Sequence, residues 1–168
     1  PRDASLTGGG FVREGVEALR AGWPPDPALS ETLPLQSLLS LAQSRSAVAL
    51  RLMNLSTAAA VELLAQAPRR PLASVSWWHL LADSGNLDPT EEGWLLRPSL
   101  GTPADRLGLI AGLEQRLLTA IAVHHLPLDA EEQLLPLDQR RAGVAGHGSR
   151  HGLVPVSYTH LTLPTKRI

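Results

Sequence analysis

The chain has 168 residues, is 43% hydrophobic and carries a formal net charge of −1, the composition of one soluble globular unit or of part of a larger one. Acids and bases nearly balance, which excludes a basic nucleic-acid footprint, and no apolar run approaches the roughly 20 residues that cross a bilayer. With no cysteine, disulfides, thiolate zinc sites and Cys nucleophiles are excluded, and a cytoplasmic setting is the default expectation.

In chain order, Ser5–Gly22 reads as a glycine-rich loop followed by a short helix. Gly22-Trp23-Pro24-Pro25-Asp26-Pro27 is expected to be irregular, because three prolines remove donors and fix φ. Leu33–Ser44 carries a helical leucine stripe, and Ala47–Met53 reads as a strand. Ser56 or Thr57 can cap a helix over Ala58–Gln66, which Pro68 stops. Leu72–Trp78 is a second strand and Trp94–Arg97 a short third. Thr102-Pro103-Ala104-Asp105 starts a helix with a cap, a proline at the first position and an acid at the third. Its expected apolar face is Leu107, Ile110, Leu113 and Leu117. Leu118–Val123 is a fourth strand, ending abruptly in His124, His125 and Pro127.

Strands alternating with helices about every 25 residues predict parallel βα units, as in a barrel or an open doubly wound sheet. No GxGxxG or P-loop sequence is present, so nucleotide-binding open sheets lose support. In a barrel, an apolar strand ending in imidazoles delivers them to the C-terminal mouth, where such folds keep their chemistry. Two adjacent strand residues point to opposite faces, so His124 and His125 do not readily chelate one ion together.

The C-terminal tail departs from the rest of the chain. The only Lys (Lys166) and the only Tyr (Tyr158) lie there, whereas every other basic residue is Arg. Val156–Ile168 resembles a translated transposase sequencing adaptor and is set aside as a non-native tail, leaving 1–155, which is expected to be part of a larger unit and poorly soluble or partly unfolded alone. Without Lys166 and Arg167, 13 basic and 16 acidic residues remain, a formal charge of −3. A first residue that is Pro1 adds to the expectation of a gene fragment.

Seven short segments, in order, resemble the dihydroorotase branch of the amidohydrolase superfamily. They are Asp3–Gly15; the Gly-x-Pro-x-x-Pro-x-x-x-Glu loop at Gly22–Glu31; Leu55-Ser56-Thr57-Ala58; Trp78-His79-Leu80; Arg97-Pro98-Ser99-Leu100; Ala120–Glu132; and Gly143-Val144-Ala145-Gly146. The resemblance spans Pro1 to about Val154. It implies the C-terminal part of a distorted (β/α)8 TIM-type barrel, an α/β fold, and a family that binds one or two zinc ions and interconverts dihydroorotate and its ring-opened acid in pyrimidine synthesis. The metal lowers the pKa of bound water from about 15.7 to about 7. That shift corresponds to roughly 12 kcal/mol, which no ordinary side chain replaces.

The same resemblance shows where this copy departs. Asn54 stands at the strand-five ligand His, and a neutral amide is a poor zinc donor. His79 falls at the strand-six ligand and is the only match among the metal positions. His124 occupies the place of the catalytic Asp. An imidazole can act as a base, but it adds no negative charge to balance a dication. Arg97 replaces the Asn of Asn-Pro-Pro-Leu and is the candidate substrate contact, while Gly101 stands where an Arg often follows. His147, Arg150 and His151 read as a solvated patch, and the family's His-x-His pair would lie upstream of Pro1.

The expectation is a non-catalytic dihydroorotase-like protein with no cofactor and no catalytic residue. In the family, degenerate copies resemble scaffolds for aspartate carbamoyltransferase, so that enzyme, or a second copy by self-association, is the expected partner. The alternative is an active zinc-dependent hydrolase of cyclic amides with an altered ligand set.

Overall fold

The computed structural model describes residues 1–143 except 46, 87–94, 125, 137 and 138. A 3-10 turn at Ala4–Leu6 leads into β1 (Val12–Arg13), α1 (Val16–Ala21), β2 (Pro25–Asp26) and the long α2 (Leu29–Ser44). Then follow β3 (Arg51–Leu55), α3 (Ala58–Gln66), β4 (Leu72–Ser76), the short α4 (Trp78–Leu81), α5 (Pro103–Glu114), β5 (Ala120–Ala122) and α6 (Ala130–Gln133). Every strand pairing is parallel. β1 lies beside β2, and β3, β4 and β5 form a second sheet in sequence order.

The helix starts follow from local chemistry. The Thr57 hydroxyl accepts from the Ala60 amide at 3.1 Å, and α3 covers the expected Ala58–Gln66. Thr102 and Asp105 form the reciprocal capping box on α5, with Pro103 in its first turn. α2 begins four residues before the expected Leu33 and carries Pro34 inside. Proline cannot bond the carbonyl of Ser30, and that oxygen instead accepts from the Asp3 amide at 2.8 Å.

Other expectations are corrected. Pro25–Asp26 is a strand, not irregular, because in a parallel pair only alternate residues bond the neighbour and the Pro25 position needs no N–H; Pro24 O receives Phe11 N–H and Asp26 O receives Glu14 N–H. Trp78 opens a helix instead of ending β4. No strand forms at Leu95–Arg97, and Trp94 lies outside the described residues. On α5 the buried side is Leu109, Gly112 and Leu113, whereas Leu107 is exposed. A leucine stripe fits two helical faces, and packing against α3 chose between them.

The main core joins one face of β3 and β4 (Leu52, Leu55, Ala73, Val75) to Leu35 and Leu39 of α2, Val61 and Leu64 of α3, and Leu109 and Leu113 of α5. A period of two would put Leu52 and Leu55 on opposite faces. The register shifts between them, and Asn54 adopts φ 55°, which returns Leu55 to the covered face. The opposite face, with Met53 62% and Leu72 52% exposed, carries no helix among the described residues. None of the described helices is long and apolar enough to cross a membrane.

α3 and α5 approach closely through glycine. A Cβ on Gly108 would lie 2.6 Å from Ala58 Cβ, and one on Gly112 2.8 Å from a Val61 methyl. Gly108→Val is expected to lower stability by about 1–3 kcal/mol, since overpacking the helix contact outweighs the gain in helix propensity. A shift of the urea midpoint at unchanged m-value checks this; an unchanged midpoint would show that the helices move apart freely.

Candidate functional site

The chemistry-bearing positions gather at the C-terminal end of the three-stranded sheet. Asn54 lies at the end of β3, His79 follows β4 and His124 follows β5. A cavity of about 180 Å³ there is lined by Ser76, Trp78, His79, Leu96, Arg97 and His124, among others. His79, Arg97 and His124 are thus brought together, as expected of a barrel mouth. Asn54 is not among the residues lining this cavity.

His79 is 2% exposed, and its Nε2 lies 3.2 Å from the Ser99 carbonyl. A carbonyl only accepts, so Nε2 holds the proton and Nδ1 keeps a lone pair, buried without a hydrogen-bond partner. Burial lowers its pKa to about 4, with the charges of Arg13 and His124 acting in the same direction. The ring is therefore neutral at pH 7. His124 Nε2 is likewise buried and unpartnered.

Asn54 donates its backbone N–H to Ser74 Oγ at 3.1 Å, and its side-chain Oδ1 is buried without a partner. Its left-handed φ is one that Asn tolerates better than most residues. Arg97, the candidate substrate contact, donates Nη1 to Gly10 O at 2.7 Å and lies 6.0 Å from the Phe11 ring centroid. This guanidinium therefore also ties the N-terminal glycine loop to the mouth.

Sequence reasoning missed the largest polar feature, a buried network beneath the mouth. Arg13 is 2% exposed; it donates Nη2 to Ser56 Oγ at 2.7 Å and Nη1 to Pro27 O at 3.2 Å. Asp26, fully buried, accepts from Ser30 Oγ and Arg2 Nη2, both at 2.8 Å, and pairs with Arg13 at 3.5 Å. Glu31 accepts from the Ser56 amide and hydroxyl, both at 2.9 Å. Burial pushes the Glu31 carboxyl above its ordinary range, against the pull of Arg13 and of these hydrogen bonds. Arg13, Glu31 and Ser56 come from three separate resemblance segments. Their joint recurrence as polar residues inside otherwise structural motifs was the available signal.

The residues present do not fit a hydrolytic zinc centre. Two imidazoles and an amide supply no anionic ligand, and the nearby buried carboxylates Asp26 and Glu31 are already held by arginine and serine donors. Among the described residues no three His, Cys, Asp or Glu side chains gather as metal ligands do. His125 and the patch at His147, Arg150 and His151 lie outside the described residues, as does the Val156–Ile168 tail.

Comparison with known proteins bears on family and fold. No family model matches the chain. It is 37% identical over 158 residues to a "probable dihydroorotase-like protein" of Synechocystis sp., covering 88% of this chain and 36% of that one. It is 31% identical over 161 residues to a dihydroorotase of Listeria welshimeri, covering 94% and 37%. The chain thus spans about a third of these relatives' length. Among solved structures it superposes on a D-hydantoinase (dihydropyrimidinase) from Thermus sp. with TM-score 0.70 at 17% identity, covering 86% of this chain and 33% of that one. The dihydropyrimidinase of Brevibacillus agri gives 0.63 at 17% identity, covering 76% and 32%. The parallel βα units are accordingly part of an amidohydrolase (β/α)8 barrel, with β3, β4 and β5 as neighbouring staves. From sequence and fold together, the chain is a dihydroorotase-like member of the amidohydrolase family.

Proposed function

We propose that this dihydroorotase-like chain is catalytically inactive and serves as a structural partner of aspartate carbamoyltransferase. The observation that carries the reading is the donor set at the C-terminal ends of β3, β4 and β5: Asn54, His79 and His124 offer no negative charge to hold a dication. The fold around them is kept, with caps, glycine contacts and a buried ionic network. A scaffold needs those features; a hydrolase needs the ligands as well. The partner comes from the family resemblance, in which degenerate copies hold that transferase.

A second reading is an active zinc-dependent hydrolase of cyclic amides. It is favoured by three buried polar atoms without hydrogen-bond partners: Asn54 Oδ1, His79 Nδ1 and His124 Nε2. Such atoms cost free energy unless something meets them. The two readings separate by measuring zinc content and dihydroorotate ring opening together, on the chain and on any longer product of its gene. The expected result is substoichiometric zinc, no turnover, and co-elution with aspartate carbamoyltransferase. Stoichiometric zinc with turnover that His124→Ala abolishes would replace the first reading by the second.

A further inference from the structure

Arg97 joins two parts of the fold that are far apart in sequence. It lines the mouth cavity, and its Nη1 donates to the Gly10 carbonyl at 2.7 Å, 87 residues away. The Phe11 ring centroid lies 6.0 Å from the guanidinium carbon, at the limit of a cation–π contact. Among the described residues no carboxylate forms an ion pair with Arg97. Desolvation lowers its pKa below the ordinary range, opposed by the charge of Asp26. A cation that has lost part of its water is thus held by a neutral carbonyl and a ring.

The segment it holds has little packing of its own. Gly10 N–H closes a turn onto Thr7 O at 2.7 Å, and Gly8 and Gly9 stand at φ 55° and 74° with nothing within 4 Å of where a Cβ would be. Gly10 itself is buried, so close to the Pro25 carbonyl that a Cβ would overlap it. From there β1 pairs with β2 over two residues, with Phe11 N–H on Pro24 O and Glu14 N–H on Asp26 O. So short a ladder is marginal by itself and depends on what ties it down. Arg13 fastens it beneath the mouth, and Arg97 fastens it at the mouth.

We propose that Arg97 is a releasable clasp. It holds the Thr7–Gly10 turn and the β1–β2 ladder against the mouth, and a carboxylate entering the cavity takes over the guanidinium and loosens them. The basis is competition for donors: a carboxylate accepts two parallel bonds and brings opposite charge, where Gly10 O offers one bond and no charge. Trp78, Leu96 and Leu126 also line the cavity, so the ligand class is a small carboxylate with an apolar body. The clasp needs no metal, so it goes beyond the scaffold reading and stands or falls separately from it.

Hydrogen exchange on the full chain, with EDTA present throughout, tests this with benzoate as the carboxylate and benzamide as its uncharged counterpart. Benzoate is expected to speed exchange of the Phe11 and Glu14 amides about tenfold, as for loss of one hydrogen bond from a charged donor, while benzamide leaves them unchanged. R97M is expected to show the faster exchange without ligand and no further response. R20S, altering an exposed arginine of α1, keeps the wild-type response. Circular dichroism checks the fold of R97M. If that fold is lost, R97K takes its place; its ammonium cannot hold a carboxylate bidentately, and a weaker response to benzoate is expected. Free exchange of these amides in the unliganded wild type, no response to benzoate, or an equal response to benzamide would overturn the clasp. So would a full response in the Arg97 variants.

Discussion

Arg13→Met is expected to cost about 3–5 kcal/mol, a large fraction of the roughly 5–15 kcal/mol that stabilises a typical domain. The side chain is almost fully buried and faces two buried carboxylates, Asp26 and Glu31. Removing it leaves Glu31 without a nearby arginine and Asp26 with Arg2 alone, and takes the donor from Ser56 Oγ and Pro27 O. It also cuts the link between β1–β2 and the end of β3, two sheets that share no backbone ladder. The charge explanation makes a further demand. Neutralising the acids as well, in R13M/D26N/E31Q, should recover a substantial part of the loss, because a buried ion pair mainly offsets its own desolvation. Urea unfolding of dilute protein measures both variants. A triple variant no more stable than Arg13→Met would show that packing and hydrogen bonding, not stranded charge, dominate.

The second large effect is acid sensitivity centred on His79. Its unfolded pKa is near 6.5 and its folded pKa near 4, because burial opposes the charged ring. Between those values the unfolded chain binds a proton that the folded chain refuses. Stability is therefore complete above pH 6.5 and falls as pH drops toward 4, by about 3 kcal/mol if no rearrangement relieves the burial. Glu31 works in the opposite sense. Its folded pKa is raised, so its contribution is present below the ordinary carboxylate value and is lost as pH climbs through the folded one. The difference between wild type and His79→Gln isolates the histidine. Unfolding midpoints from pH 7 to pH 4 should diverge, with the variant losing less; parallel curves would mean that the ring protonates in the folded state with little penalty.

Local features were legible wherever one short segment contains its own cause. Thr57 and the Thr102–Asp105 pair cap the helices they precede, and the βα rhythm with seven ordered segments pointed to an amidohydrolase barrel. Where competing arrangements satisfy the same pattern, identity was insufficient. Pro25–Asp26 becomes a strand because its parallel register with β1 places Pro25 where no N–H is needed.

Only tertiary contact decided which leucines of α5 are buried, since a stripe of Leu and Ile suits two faces until Ala58 and Val61 press against Gly108 and Gly112. It alone joined Arg13 to Ser56 across 43 residues and Ser56 to Glu31 across 25. It also brought Arg45 and Arg51, Arg70 and Arg116, from three connections, to one end of the larger sheet. Composition and local spacing carry information over a few residues, through hydrogen bonds a turn can close by itself. Burial of charge and convergence of distant loops depend on the path of the whole chain, and that path follows from how the helices cover the sheet.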